Sequence, residues 1–186
     1  MHGFWLAAFV AVWILVIVQS VALFTLFHHF GQMYLTSREG RDNHGPDLDR
    51  PLRATEATTV EDARVAIPRP GVPNLVLFSD TSCDICAELR PALREFAVEN
   101  PELATVLVCG GDREAVAAWA DGLAEVADVV FDPRTRIAAR YGVGLTPFLV
   151  AVDEGGVVRG GGLVNDADGL ELAAVDAALI RTPATT

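Results

Sequence analysis

The chain has 186 residues, enough for one domain of ordinary size plus a membrane segment but cramped for two domains. Its formal net charge is -11 and all fourteen basic residues are arginine, so no basic stripe exists to neutralise phosphates and nucleic acid is not an expected partner. Three cysteines are too few for a disulfide-stapled scaffold, and an odd number cannot all pair within one chain, which leaves a reactive pair plus one extra thiol.

Residues 4–27 carry no charged side chain and only Gln19, Ser20 and Thr25 as polar interruptions. That length predicts a transmembrane helix, with Trp5 and Tyr34 suited to the two interfaces and residues 1–28 forming an anchor in the lipid bilayer. A cleaved signal peptide is the competing reading, because Ser20-Val21-Ala22 offers small residues for processing. Against it, no basic residue precedes the run, and the run continues past the candidate site. Arg38 and Arg41 follow the span and pull that side toward the cytoplasm, in conflict with an extracytoplasmic domain. Residues 29–73 are polar and broken by Pro46, Pro51, Pro68, Pro70 and Pro73, the pattern of a linker, with room for a short strand or turn near residues 63–67.

A domain over residues 74–182 follows. Leu75-Val76-Leu77-Phe78 is a continuous apolar run, as in a strand buried on both faces, and residues 84–98 have helical spacing of Leu89, Leu93 and Phe96. Residues 104–108 form a second buried strand, Asp112 caps a helix carrying Val116 and Trp119, and Val129-Val130-Phe131 is a third strand. Asp132-Pro133 starts a helix through about Tyr141. Residues 148–152 and Val157-Val158 are strands joined at Glu154-Gly155-Gly156, and residues 170–180 close the chain as a helix. This order predicts an α/β fold with helices on both faces of one sheet.

Cys83-Asp84-Ile85-Cys86 directly follows the first buried strand and opens a helix. There the unsatisfied amides and the positive dipole end stabilise a thiolate on Cys83, and Cys86, one turn on, lies on the same face. Cys83 is the expected nucleophile and Cys86 the resolver. Two alternatives stay open: a pair of inert thiols, or half of a zinc site, whose other candidate ligands would be Cys109, His2, His28, His29 and His44. Asp84 places a negative charge beside the thiolate, disfavours it, and so points to a reducing couple. Thr146-Pro147 precedes a strand, where a cis proline would pack opposite the dithiol and leave the Thr146 backbone to pair with an extended substrate. A trans proline that merely starts a strand is the alternative. Cys109 ends a strand on the side where such sheets gather their sites, and is either an auxiliary thiol or a buried inert one. Asp80 is either a proton relay or a turn former.

Three stretches carry a resemblance to a known family. Leu75-Val-Leu-Phe-Ser-Asp-Thr-Ser-Cys-Asp-Ile-Cys, Arg140-Tyr-Gly-Val-Gly-Leu-Thr-Pro-Phe-Leu-Val and Gly162-Leu-Val-Asn resemble the membrane-anchored thioredoxins of the TlpA and MauD type, over roughly residues 70–180 plus the anchor. The resemblance implies a thioredoxin fold, a central mixed sheet flanked by helices. It implies a domain outside the cytoplasmic membrane that reduces or isomerises disulfides in exported proteins, with Cys83 and Cys86 as redox pair and Pro147 as cis proline. Asp84-Ile85 departs from it, standing where the family usually has proline, and Ser82 and Leu77 stand where thioredoxins proper have tryptophan and a buried acid.

The expected activity is therefore thiol–disulfide exchange by a tethered oxidoreductase that needs no cofactor beyond its cysteines. Its expected partners are disulfide-bearing clients and a membrane electron-transfer partner. The other class is a redox-silent thioredoxin-like module that holds a client in the groove beside Pro147 without turnover.

Overall fold

A computed structural model of the chain describes residues 45–177 and 179, together with residues 9, 12–21 and 23 near the start. The chain divides into two units, Met1–Gly40 and Arg41–Thr186. In the first, residues 12–21 are helical, and the side chains of Trp13, Ile14, Leu15 and Ile17 are exposed. Among the described residues no helix is long and apolar enough to cross a membrane. The remainder of the expected span lies outside the described residues.

The second unit is built on a five-stranded sheet ordered β5-β4-β3-β6-β7, from β3 (Asn74–Asp80), β4 (Ala104–Gly110), β5 (Asp128–Phe131), β6 (Phe148–Val152) and β7 (Val158–Leu163). Strands β3, β4 and β5 run parallel, whereas β6 and β7 are antiparallel additions, so the sheet is mixed. β3 lies at its centre, buried on both faces from Asn74 to Ser79, as its unbroken apolar run requires. Leu75 and Leu77 enter one core with Leu89, Leu93 and Phe96 of helix α1 (Asp84–Glu99), Val116 of α2 (Arg113–Trp119), and Leu170 and Ala174 of α4 (Ala167–Asp176). Val76 and Phe78 enter the other core, with Ile137 and Ala138 of α3 (Arg136–Arg140) and with Val65 and Ile67. Helices therefore cover both faces.

Val65 and Ile67 belong to a hairpin, β1 (Thr55–Thr58) and β2 (Arg64–Ile67), within the stretch expected to be a linker. Thr59 bridges Val130, and the Val60 N–H donates to the Val129 carbonyl at 2.9 Å, so the turn of this hairpin covers the β5 edge of the main sheet. Asn74, fully buried, holds the connection to β3. Its Oδ1 accepts from the Arg69 N–H at 2.7 Å, and its Nδ2 donates to the carbonyls of Arg69 (2.9 Å) and Val72 (2.7 Å).

Three boundaries differ from the sequence pattern, each for a local reason. α3 begins at Arg136 rather than at Asp132-Pro133, because Thr135 adopts a left-handed conformation (φ 48°). The Asp132 carboxylate instead reaches forward to accept from the amides of Arg136, Ile137 and Ala138 at 2.8 to 3.1 Å. α4 begins at Ala167, not residue 170, because Asp166 caps it by accepting from the Gly169 N–H at 2.8 Å. β7 runs on to Leu163 through Gly160, Gly161 and Gly162, and a Cβ on Gly160 would stand 3.3 Å from Ala177 Cβ, so this glycine lets the end of α4 approach the strand. Pro91 lies inside α1 and leaves the Ala87 carbonyl without its helical donor. Arg90 Nε donates to that carbonyl at 3.4 Å.

Replacing Asn74 by alanine strips one donor and two acceptors of their partner in a buried place. The expected loss, read from urea unfolding midpoints, is about 1–3 kcal/mol, with the fold otherwise unchanged.

Candidate active site

The dithiol sits where β3 hands the chain to α1. Cys83 is the N-cap residue of α1, in extended conformation, and its Sγ accepts from the Cys86 N–H at 3.2 Å. That contact places the sulfur over the positive end of a sixteen-residue helix, where negative charge is stabilised. Cys83 and Cys86 are joined as a disulfide with Cα atoms 5.2 Å apart, within the range that the bridge spans. Cys83 is half-buried whereas Cys86 is only 2% exposed, so an incoming sulfur has access to Cys83 alone.

Thr146-Pro147 faces the dithiol. The peptide bond between them is cis, and the Thr146 carbonyl oxygen lies 3.9 Å from Cys83 Sγ. The juxtaposition follows from register: β6 runs antiparallel to β3 with Phe148 opposite Phe78, so the residues just before β6 meet those just after β3. A cleft of about 470 Å³ opens there, lined by Cys83 and Thr146 together with Asp80, Gly110, Asp132 and Thr135. It lies beyond the carboxyl ends of the three parallel strands, the place where open α/β sheets collect their sites. Ile85 (45% exposed) and Leu145 (44% exposed) present apolar side chains beside it.

The auxiliary candidates separate by environment. Asp84 is the first residue of α1 and is exposed. Asp80, at the end of β3, accepts at Oδ1 from the Ser82 N–H (2.8 Å) and the Ser82 hydroxyl (2.6 Å), the geometry of a turn former. Cys109 is fully buried in β4, opposite Ser79 of β3. Burial first, and the nearby Asp80 charge second, push its thiol up to about 12, with Ser79 acting in the opposite direction. Cys109 is therefore protonated and unreactive at neutral pH. Among the described residues no group of three His, Cys, Asp or Glu side chains is placed to hold a metal ion, and His2, His28, His29 and His44 lie outside them. Sequence reasoning missed Ser82, Gly110, Asp132 and Thr135 as site residues; they reach the cleft from three different segments and share no motif.

Two consequences of the Cys109 environment are measurable. Reduced native protein at pH 8 should titrate two thiols with a disulfide reagent, and three once unfolded. The folded thiol binds its proton more tightly than the unfolded one, so its contribution to stability is complete below pH 9.0 and is lost as pH rises toward about 12. Cys109→Ala should flatten that part of the alkaline stability profile in urea unfolding.

No family model matches the chain. It is similar to the methylamine utilization protein MauD of Methylobacillus flagellatus, 28% identical over 132 residues, which covers 69% of this chain and 63% of that protein's length. The MauD of Methylorubrum extorquens is 25% identical over 174 residues, covering 90% of this chain and 84% of the relative. Among solved structures, a secreted Mycobacterium tuberculosis disulfide oxidoreductase homologous to E. coli DsbE superposes with a TM-score of 0.57 at 23% identity, over 68% of this chain and 96% of that one. StoA from Bacillus subtilis superposes with a TM-score of 0.56 at 18% identity, over 68% of this chain and 98% of that one. The chain is a thioredoxin-fold protein whose sequence resembles the MauD proteins.

Proposed function

We propose that the chain is a thiol–disulfide oxidoreductase that reduces or isomerises disulfides in exported client proteins. One observation carries the reading: Cys83 is accessible at the rim of a cleft, bonded to a buried Cys86 and facing the Thr146 carbonyl.

In the reduced protein the Cys83 thiolate attacks one sulfur of a client disulfide. The client S–S bond breaks, a Cys83–client disulfide forms, and the released client thiolate takes up a proton. Cys86 then loses its proton and attacks Cys83 Sγ. The second client thiol leaves and the Cys83–Cys86 disulfide is restored. Two electrons pass from the protein to the client, with one proton released by Cys86 and one drawn from solvent, and a dithiol partner in the membrane reduces the protein again in a later cycle. The exposed Ile85 and Leu145 side chains supply an apolar landing surface for the client, and no cofactor enters the sequence of steps.

The domain acts while tethered to the cell membrane by a single span, on the extracytoplasmic side. The uncharged run over residues 4–27 supports the tether, as do the exposed apolar side chains along helical residues 12–21.

Dithiothreitol-driven insulin reduction by the full chain tests the chemistry. Cys83→Ser should abolish turnover, and Cys86→Ala should accumulate a mixed disulfide with a client visible on a non-reducing gel. Client capture that persists in Cys83→Ser, with no turnover in the wild type, would instead identify a redox-silent binding module. A topology reporter fused after Thr186 should register outside the cytoplasm, and a cytoplasmic signal would end the export reading.

A further inference from the structure

Asp80 closes β3 with contacts that the exchange steps do not use. Its Oδ1 accepts from the N–H of Ser82 at 2.8 Å and from the Ser82 hydroxyl at 2.6 Å, while its backbone carbonyl accepts from the Cys83 N–H at 3.1 Å. Three hydrogen bonds therefore run from one residue to the two that immediately precede α1. The carboxylate is seated by a neighbour with no side chain. Gly110 stands opposite Asp80 in the parallel register of β3 and β4, and its carbonyl accepts from the Thr81 N–H at 3.1 Å. A Cβ on Gly110 would collide with Asp80 Oδ2 and stand 3.2 Å from its Cγ, so a side chain there would force the carboxylate to shift. Both residues line the cleft beside Cys83.

We propose that Asp80 is a positioning residue: seated against Gly110, its carboxylate holds the turn through Ser82 and so delivers Cys83 Sγ to the rim of the cleft as N-cap of α1. The inference rests on the proposed function for its consequence in turnover, but the geometry it assigns is independent of the client. What the carboxylate contributes is an acceptor for two local donors. Ser82 is the residue through which Asp80 acts.

The test separates acceptor from charge. Asp80→Asn and Asp80→Ala remove the same charge, but only asparagine keeps an oxygen for the Ser82 N–H. Two readouts are taken on the full chain: kcat/KM for insulin reduction, and the rate at which iodoacetamide alkylates reduced Cys83 in a Cys86→Ala background. Asp80→Asn should stay within about threefold of the wild-type residue in both, and Asp80→Ala should fall about tenfold. Gly110→Ala, which displaces the carboxylate without removing it, should reproduce the loss. Adding Gly110→Ala to Asp80→Ala should lower neither rate further, because no carboxylate is left to displace.

Equal losses for Asp80→Asn and Asp80→Ala would overturn the proposal in favour of charge or proton transfer, and so would additive losses in the double variant. If Asp80→Ala does not fold, Gly110→Ala decides: slow alkylation supports positioning and wild-type alkylation sinks it. A wild-type protein without insulin activity whose alkylation rates still split between Asp80→Asn and Asp80→Ala would refute the proposed function and uphold the positioning role.

Discussion

Burial of β3 on both faces is the constraint on which the rest of the molecule depends. A strand enclosed by two cores has no freedom to slide, since a one-residue slip would exchange Leu75 and Leu77 with Val76 and Phe78 between dissimilar surroundings. The two ends of the strand inherit that rigidity. At one end the Asn74 carboxamide fastens the incoming loop, and at the other Asp80 fastens the turn that leads to Cys83. The dithiol is thus positioned by the core and not by a loop, which is what a reaction requiring aligned sulfurs needs.

The same strand brings together segments that are distant in the chain. Because β4 runs parallel to β3 and β6 antiparallel to it, the carboxyl ends of β3 and β4 and the amino end of β6 converge on one edge. Cys83 and Thr146 meet across 63 residues of sequence as a result. The three sulfurs also differ in depth. Cys83 is reachable, Cys86 lies behind it, and Cys109 is sealed in the strand interior with a thiol that holds its proton at neutral pH. One chain can thereby carry a reactive pair and an inert thiol without cross-reaction.

On the opposite face, Tyr141 ties the early part of the chain to the same edge. Its hydroxyl donates to the Ile67 carbonyl and lies 3.2 Å from both the Arg53 carbonyl and Thr55 Oγ1, while its ring meets Phe78 edge-on with centroids 5.8 Å apart. Burial raises its hydroxyl above the ordinary tyrosine range, which keeps it a donor. Tyr141 immediately precedes the segment leading to Thr146, and the Gly45 N–H adds a bond to the Gly142 carbonyl at 2.9 Å. Residues before β3 therefore brace the wall of the cleft.

Much of this was legible in the sequence because its signals are local. A continuous apolar run, helical spacing of Leu89, Leu93 and Phe96, and a Cys-x-x-C pair between them require only neighbours along the chain to be interpreted. The aspartate caps were half legible: Asp112 caps α2 as expected, whereas Asp132 bonds amides four to six residues ahead across a left-handed Thr135, which no cap pattern encodes. Of the hairpin before β3, the strand near residues 63–67 was legible, whereas its partner β1 hid in a proline-rich stretch because the pair gains its apolar contacts from the distant α3 and the sheet. What only the tertiary structure decided is which residues share the cleft. The space for Asp80 exists because Gly110 lies beside it in a parallel strand, and Gly160 of β7 is explained only by the helix end packed against it. Periodicity and spacing determine what a segment is, but the company of each side chain is set by strand order and register, which are properties of the whole fold.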